Sequence, residues 1–149
     1  MALPVLNILE EFSLSNGTLK TDLTGATMHL FASVNPPLSR DTVIGDVSET
    51  AYTGYAAITL PTPTGSYLDI NGDPILILGS QSFVGPTAGG GPMAEGCFVL
   101  SAATGTPLIF GAIFDNPVSL LDALHVCVVT SQLGPLGNGW VSTEGSTLP

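Results

Sequence analysis

The sequence predicts an all-β fold, an antiparallel β-sandwich of the jelly-roll or Greek-key kind with one short helix near residues 42–50. The chain holds 18 glycines and 12 prolines among 149 residues, and both residue types interrupt helices and mark turns. Apolar runs of strand length recur between these turns. No apolar segment keeps the helical period of about 3.6 residues, and strands do not alternate with helices as a parallel sheet requires.

The first predicted elements are a hairpin and a central strand. Residues 11–15 and 18–23 alternate apolar and polar side chains around Asn16-Gly17, a pair that suits a type I′ turn because both positions take a positive φ. Residues 27–34 form an apolar run of strand length. Asn35-Pro36-Pro37 ends that strand, because proline has no N–H to donate to a ladder.

The middle of the chain carries the predicted helix and several shorter strands. Charged residues concentrate in 39–50 beside Val43, Ile44 and Val47, which favours one or two helical turns over 42–50. Tyr55–Leu60 is the next strand. The elements that follow are a hairpin of 66–70 with 74–78 across Asn71-Gly72, a strand at 81–84 and a Gly- and Pro-rich loop at 85–92.

The last predicted elements are a second long hairpin and one more strand. Gly96–Ala102 pairs with Leu108–Phe114 around a Thr-Gly-Thr turn, and Asp115-Asn116-Pro117 ends that hairpin. The β-branched run Leu124–Gln132 is the final strand. Together these elements predict one β-sandwich domain over residues 11–133.

The two ends of the chain show no sustained strand or helix period. They are therefore predicted to form an N-terminal arm at 1–10 and a C-terminal tail at 134–149. Trp140 is the only tryptophan, and an exposed tryptophan leaves a large apolar area in water, so it either folds back onto the body or anchors on a partner. The candidate partner contacts are apolar residues of both ends: Leu3, Val5, Leu6, Ile8, Leu136, Trp140 and Val141.

The charge balance excludes two classes of partner. Only Lys20 and Arg40 are basic against 12 acidic residues, for a net charge of -10. Nucleic acids and anionic membranes are bound largely through Lys and Arg, so neither is expected as a partner. Charged residues make up only 9% of a chain with a mean hydropathy of +0.47. So sparse a charged surface predicts association through apolar surface, with further copies or with a larger assembly.

The N-terminus and the cysteines indicate the compartment. Met1–Phe12 has no basic segment ahead of its apolar residues and reaches Glu10-Glu11 early, so it is not expected to be a secretory signal and the mature chain is expected to start near Met1. The uncharged run 96–114 contains a turn and is not expected to span a membrane. Cys97 and Cys127 lie in apolar runs and are expected to be reduced, buried thiols.

No sequence motif supplies a catalytic, cofactor-binding or metal site. Residues 69–73 begin like a calcium loop, but Pro74 stands where an EF-hand needs glycine and Ser80 where it needs a bidentate carboxylate. Metal is therefore expected to be unnecessary. Gly89-Gly90-Gly91 lacks the Lys and the helix that follow a phosphate-binding loop.

The histidines and paired carboxylates are also weak candidates for chemistry. His125 and Cys127 share one face of a predicted strand, yet they lie among Val and Leu and no nucleophile motif accompanies them. Glu10 and Glu11 would point to opposite faces of a strand, unlike the carboxylate pair of a glycosidase. The chain is expected not to be an enzyme, and the enzyme alternative requires His29 or His125 in a cleft with a carboxylate partner.

From Met28 onward the elements follow a recognisable order. A strand that contains Leu30-Phe31 leads to the Asn-Pro-Pro loop, then to the acidic segment 41–50 and to Tyr52-Thr53-Gly54-Tyr55. Gly-rich strands and the hairpin 96–114 follow. Over residues 28–133 this pattern resembles a family of small bacteriophage virion β-sandwich proteins, of the capsid cement, decoration or head-fibre type.

The resemblance implies a structural virion protein, a capsid cement or decoration protein that bridges major capsid subunits on the outer surface of a bacteriophage head. It also implies synthesis in the host cytoplasm and a homo-oligomer, dimer or trimer. An outer position suits the net charge of -10, because packaged nucleic acid would repel an acidic protein. The alternative is a fibre or tail accessory module that binds a host receptor or glycan through Tyr52, Tyr55 and Tyr67.

Overall fold

A computed structural model of the chain describes the backbone of residues 5–6, 23–39, 41–62, 64–68, 74–91, 93–102, 108–133 and 140–147. It describes side chains for residues 23–39, 41–62, 78–91, 93–102 and 108–131. The predicted hairpin at 11–15 and 18–23 lies almost wholly outside the described residues.

These residues form ten strands and one short 3-10 turn. The strands are β1 (Val5–Leu6), β2 (Thr27–Val34), β3 (Val47–Glu49), β4 (Ile58–Thr59), β5 (Thr64–Leu68), β6 (Pro74–Val84), β7 (Met93–Leu100), β8 (Leu108–Ser119), β9 (His125–Leu133) and β10 (Trp140–Thr147).

The strands form two antiparallel sheets. One has six strands in the order β1-β8-β7-β2-β3, with β4 also paired to β2, and the other has four strands in the order β10-β9-β6-β5. All pairs between described strands are antiparallel. The all-β, antiparallel class predicted from the sequence is confirmed, and β2 has neighbours on both sides, as predicted for a central strand.

The main core takes side chains from both sheets. Leu30 lies beside Cys97 and Met28 beside Val99 across β2 and β7, so alternate residues of adjacent strands form one apolar layer. From the four-stranded sheet, β6 and β9 contribute Leu78, Phe83, Cys127 and Val129. Burial of a side chain of this size stabilises the fold by about 1.5–3 kcal/mol.

The opposite face of the six-stranded sheet carries a second apolar cluster. Its buried members are Phe31, Phe98, Leu100 and Leu108. The ring of Phe31 lies over Gly96, where a Cβ atom would come within 2.1 Å of the Phe31 ring. Gly96 is therefore needed for this ring to reach the sheet, because no side chain fits between them.

The short helix predicted near 42–50 is reduced to a single 3-10 turn. The turn covers Ile44–Asp46, and Asp46 fixes it by accepting a hydrogen bond from the backbone N–H of Val43 at 3.0 Å. Val47 then pairs with Val34 and begins β3. The residues after Asp46 pair with the edge of β2 instead of forming a second helical turn. Pairing with a strand gives their backbone N–H and C=O groups hydrogen-bond partners.

The strand predicted at Tyr55–Leu60 is shortened to β4. A turn occupies the residues before it, with the Tyr55 N–H donating to the Tyr52 carbonyl at 3.0 Å. Gly54 takes a φ of +90° in this turn, a conformation that other residues rarely adopt. Only Ile58 and Thr59 pair with β2.

Two strands run farther than predicted because bulges absorb the irregular residues. The predicted strands at 74–78 and 81–84 are one strand, β6, whose register shifts beside Gly79 at a φ of +76°. Asp115-Asn116-Pro117 does not end β8, because β7 pairs with β8 on both sides of that segment. Proline is tolerated in a strand at such a bulge.

The predicted C-terminal tail is a strand over much of its length. Trp140–Thr147 pairs residue by residue with β9, from Trp140 opposite Gln132 to Thr147 opposite His125. The run Leu124–Gln132 is therefore not the final strand. Small polar residues such as those of β10 join an edge through main-chain hydrogen bonds, which need no apolar period in the sequence. The division into arm, domain and tail stays a prediction.

Candidate functional site

The predicted partner-contact residues lie at sheet edges where the structure describes them. Val5 and Leu6 form β1 opposite Gly111 and Phe110 of β8. Trp140 and Val141 begin β10, so the backbone at Trp140 folds back onto the body. The other three candidates, Leu3, Ile8 and Leu136, lie outside the described residues.

The first and the last described strands lie on the same side of the two sheets. β1 is added to β8 and β10 to β9, and β8 and β9 follow each other in the chain. β10 also lies close to β8. The two terminal strands thus form neighbouring edges, and an edge strand presents backbone groups that can pair with another chain.

A second candidate surface is formed by exposed apolar side chains at one end of the molecule, which we call the apolar end. Among the residues with described side chains, seven large apolar ones have exposed fractions between 45% and 56%. Six of them define the apolar end: Val43, Ile44, Val84, Met93, Leu121 and Leu124. The seventh, Ile113, lies within β8.

Strand directions bring these six residues together. β7 begins where β8 ends, with Met93 opposite Ser119, and β6 ends where β9 begins, with Val84 opposite Val126. β3 starts beside the end of β2, and β2 ends toward the start of β7 because the two strands are antiparallel. The chain crosses between the sheets twice at this end, from β6 to β7 and from β8 to β9.

These two connections pack tightly against each other. The Gly85 N–H donates to the His125 carbonyl at 2.8 Å, and a Cβ atom on Gly85 would lie 2.1 Å from the Asp122 carbonyl oxygen. A Cβ atom on Gly91 would lie 1.6 Å from the Leu120 carbonyl oxygen. The backbone of the described loops at the apolar end is therefore held in place.

Every side chain with a fixed charge that the structure describes at the apolar end is acidic. Asp41, Glu95 and Asp122 are exposed there and Asp46 is half-buried. The two basic residues of the chain, Lys20 and Arg40, lie outside the described residues. The described part of this end is thus an apolar surface with a negative rim.

Asp122 fixes the loop that carries Leu121 and Leu124. Its carboxylate accepts hydrogen bonds from the His125 ring at Nδ1 and from the Leu124 N–H, both at 2.9 Å. The hydrogen bond from His125, and then the one from Leu124, lower the pKa of Asp122 below its ordinary value. The ionised carboxylate therefore stabilises the turn.

His29 is the centre of a polar network on the outer face of the six-stranded sheet. Its Nδ1 lies 2.5 Å from Oε1 of Glu49, and its Nε2 lies 2.8 Å from the Thr27 hydroxyl. The ring stacks on Phe98 with the centroids 4.8 Å apart. The hydroxyl of Tyr55 donates to the same Glu49 oxygen at 2.9 Å. Hydroxyl, imidazole and carboxylate thus stand in the order that nucleophilic hydrolases use.

The same network also completes the ladder of β2. The Tyr55 hydroxyl accepts the Leu30 N–H at 3.0 Å, at the gap between β3 and β4 on that edge. Burial raises the pKa of Tyr55 above its ordinary value, so the phenol stays protonated and keeps donating to Glu49. The network can tie three segments together, and His29 can also take a proton from the Thr27 hydroxyl while Glu49 orients the ring and stabilises its charged form.

The sequence does not predict this network. Its members lie far apart in the chain, and the only signal within reach was the spacing of Thr27 and His29, which places both side chains on one face of a strand. Both histidines have a carboxylate partner, His29 with Glu49 and His125 with Asp122. The structure therefore provides the carboxylate partner that the enzyme alternative requires for a histidine.

The tyrosines proposed for glycan binding are engaged within the fold. Tyr52 and Tyr55 are half-buried against the main core, and their rings meet edge to face at 5.2 Å. Tyr52 donates its hydroxyl to the Val84 carbonyl at 2.6 Å. The side chain of Tyr67 lies outside the described residues. Tyr52 and Tyr55 thus do not form an open aromatic platform.

The two cysteines lie in the main core. Cys97 and Cys127 are free and buried, and burial raises the pKa of both thiols, that of Cys127 to about 12.

Among the described residues, no group of three or more His, Cys, Asp or Glu side chains is placed to hold a metal ion. Within that same part of the chain, no helix is long and apolar enough to cross a membrane.

Comparison with protein-family models, with curated proteins and with solved structures finds no match to this chain.

Proposed function

We propose that the chain is a structural virion protein, a capsid cement or decoration protein that binds the outer surface of a bacteriophage head and bridges major capsid subunits. The observation that carries this proposal is the apolar end, a fixed apolar surface on an acidic protein. Proteins rarely expose apolar side chains together unless a partner covers them. Many weak contacts of this kind add through the symmetry of a shell, because each bound copy favours the assembled lattice.

The terminal strands support the same proposal. β1 and β10 lie at neighbouring sheet edges, where main-chain hydrogen bonds are available to a further strand. We propose that these edges join copies into the dimer or trimer predicted from the sequence. Main-chain pairing suits two acidic copies, because it needs no complementary charge.

For the fold itself we propose a β-sandwich of the jelly-roll or Greek-key kind. The support is a main core that takes side chains from β2, β7 and β8 of one sheet and from β6 and β9 of the other. Sheets that share a core in this way pack about 10 Å apart, face to face.

The decisive measurement is the copy number of the chain in purified particles of the phage that encodes it, determined by quantitative mass spectrometry. A cement protein occurs in hundreds of copies per particle, in a fixed ratio to the major capsid protein. A few dozen copies or fewer would favour the alternative, a fibre or tail accessory module. Absence from the particles would refute both.

The contacts of Thr27, His29 and Glu49 favour a second candidate function, that of a small hydrolase with Thr27 as nucleophile and His29 as base. Hydrolysis of an activated ester by the purified chain tests it. The hydrolase predicts a rate that falls by about 10²-fold or more in His29→Gln, the scale of a lost general base. A rate equal to that of buffer, or one unchanged in His29→Gln, would exclude this candidate.

A further inference from the structure

We infer that the apolar end is the docking face of the chain, and that its occupant is a protein surface with an apolar centre and a rim of Lys and Arg. This inference rests on the proposed function and deepens it, because it names the face that meets the capsid and the chemistry of the capsid site. The chain docks with the loops at 85–91 and 120–124.

Exposed apolar residues are concentrated at the apolar end. Six of the seven large exposed apolar side chains lie at this end, on four segments of the chain. Leu121 and Leu124 both lie in the five-residue connection of 120–124 between β8 and β9. A hot spot needs side chains that keep their position before binding, and Asp122 holds this connection in its turn.

The rim of the apolar end carries negative charge. Asp41, Glu95 and Asp122 are exposed around the apolar residues, and the whole chain has a net charge of -10. A second copy docked at the same face would place like charges against each other, which opposes that contact. A basic rim on the partner instead pairs with these carboxylates and steers the encounter.

The test uses full-length chain and particles from a phage that lacks its gene. Binding is measured by co-sedimentation for the natural chain and for Leu121→Thr, Leu124→Thr and the double variant. The double variant should bind at least about tenfold more weakly, as expected for lost hot-spot contacts. The matched control is Ile113→Thr, because Ile113 is a similarly exposed apolar residue that lies within β8, outside the apolar end. The affinity of this variant should change by less than about twofold.

Charge is tested by Glu95→Lys, which should weaken binding at low ionic strength and much less at high salt. All of these substitutions replace exposed side chains, and thermal melting verifies that each variant folds.

Three results would overturn the inference, and they are distinguishable. If the natural chain binds the particles and the Leu121 and Leu124 variants bind equally well, the docking face is wrong while the proposed function stands. If the natural chain does not bind, the proposed function fails and this inference fails with it. If the free chain forms a dimer that Leu121→Thr and Leu124→Thr dissociate, the occupant is a second copy and the basic partner is wrong.

Discussion

Gly91 shows how closely two connecting loops approach at the apolar end. A Cβ atom at this position would lie 1.6 Å from the Leu120 carbonyl oxygen and 2.9 Å from Cδ of Pro86. The nearer atom belongs to the backbone, so a rotamer change cannot relieve the contact. The loop or the β8–β9 connection must move.

We expect Gly91→Ala to lower the free energy of unfolding by about 1–3 kcal/mol, the usual cost of overpacking. Urea denaturation measures it. Gly90→Ala is the matched control, because nothing lies within 4 Å of a Cβ atom at that neighbouring position. Gly90→Ala should be neutral or slightly stabilising, since alanine restricts the unfolded chain. Equal effects at the two positions would contradict the loop contact.

Asp122 makes the turn at the apolar end sensitive to acid. Its pKa is lower in the folded chain than its ordinary value. The carboxylate therefore contributes stability above the unfolded pKa and loses that contribution as the pH falls through the folded pKa.

We expect the melting temperature of the natural chain to fall more than that of Asp122→Asn between about pH 6 and about pH 3. Asn keeps an oxygen that accepts the Leu124 N–H but cannot ionise. Asp122→Ala, which loses both hydrogen bonds, should be less stable than Asp122→Asn at about pH 6. Identical pH profiles for the natural chain and Asp122→Asn would show that this carboxylate does not stabilise the turn.

Tyr55 connects a loop to the edge of β2. Replacement by Phe removes the acceptor of the Leu30 N–H and one donor to Glu49. We expect Tyr55→Phe to cost about 1–3 kcal/mol, because an N–H in a partly buried position loses its partner.

Tyr52→Phe is the control for that substitution. Its hydroxyl donates only to the Val84 carbonyl, and a carbonyl oxygen retains a second lone pair for another donor. The loss measured by urea denaturation should therefore be smaller at Tyr52. A larger loss at Tyr52 would contradict the importance of the Leu30 contact.

β10 changes what is expected of the C-terminal segment. The sequence predicts a C-terminal tail without a strand period, but eight residues of β10 pair with β9. Deletion of 140–149 leaves β9 without a neighbour on one side, so we expect a lower melting temperature. A chain that ends after Thr147 keeps β10 whole and should melt like the full chain. If the chain without 140–149 has an unchanged melting temperature, β10 does not stabilise the body.

At the scale of the whole molecule, Cys97 and Cys127 report on the opening of the core. One lies in each sheet, both are buried in the main cluster, and only the thiolate reacts with alkylating reagents. We expect iodoacetamide to label both at the rate of global unfolding, as followed by mass spectrometry in increasing urea. Ile113→Cys, at an exposed position, should add one thiol that is labelled at once. Rapid labelling of the native cysteines would mean that the core opens locally.

The sequence by itself determined the class of fold and several of its strands. Strand-length apolar runs between Gly and Pro turns identified β2 with its ends and the pairing of β7 with β8, because alternation and turn chemistry are local properties of the chain. They also predicted that Cys97 and Cys127 are buried. Composition alone showed an acidic chain in which charged residues make up only 9%.

Only the tertiary structure decided where irregular segments go. The 42–50 segment became a 3-10 turn and β3, and Trp140–Thr147 became β10, because a partner edge supplied hydrogen bonds that no local pattern encodes. The apolar end and the contacts of His29 join residues that are distant in sequence. Their neighbours are set by strand order and by the crossing of the chain between sheets, and these depend on the packing of the whole core.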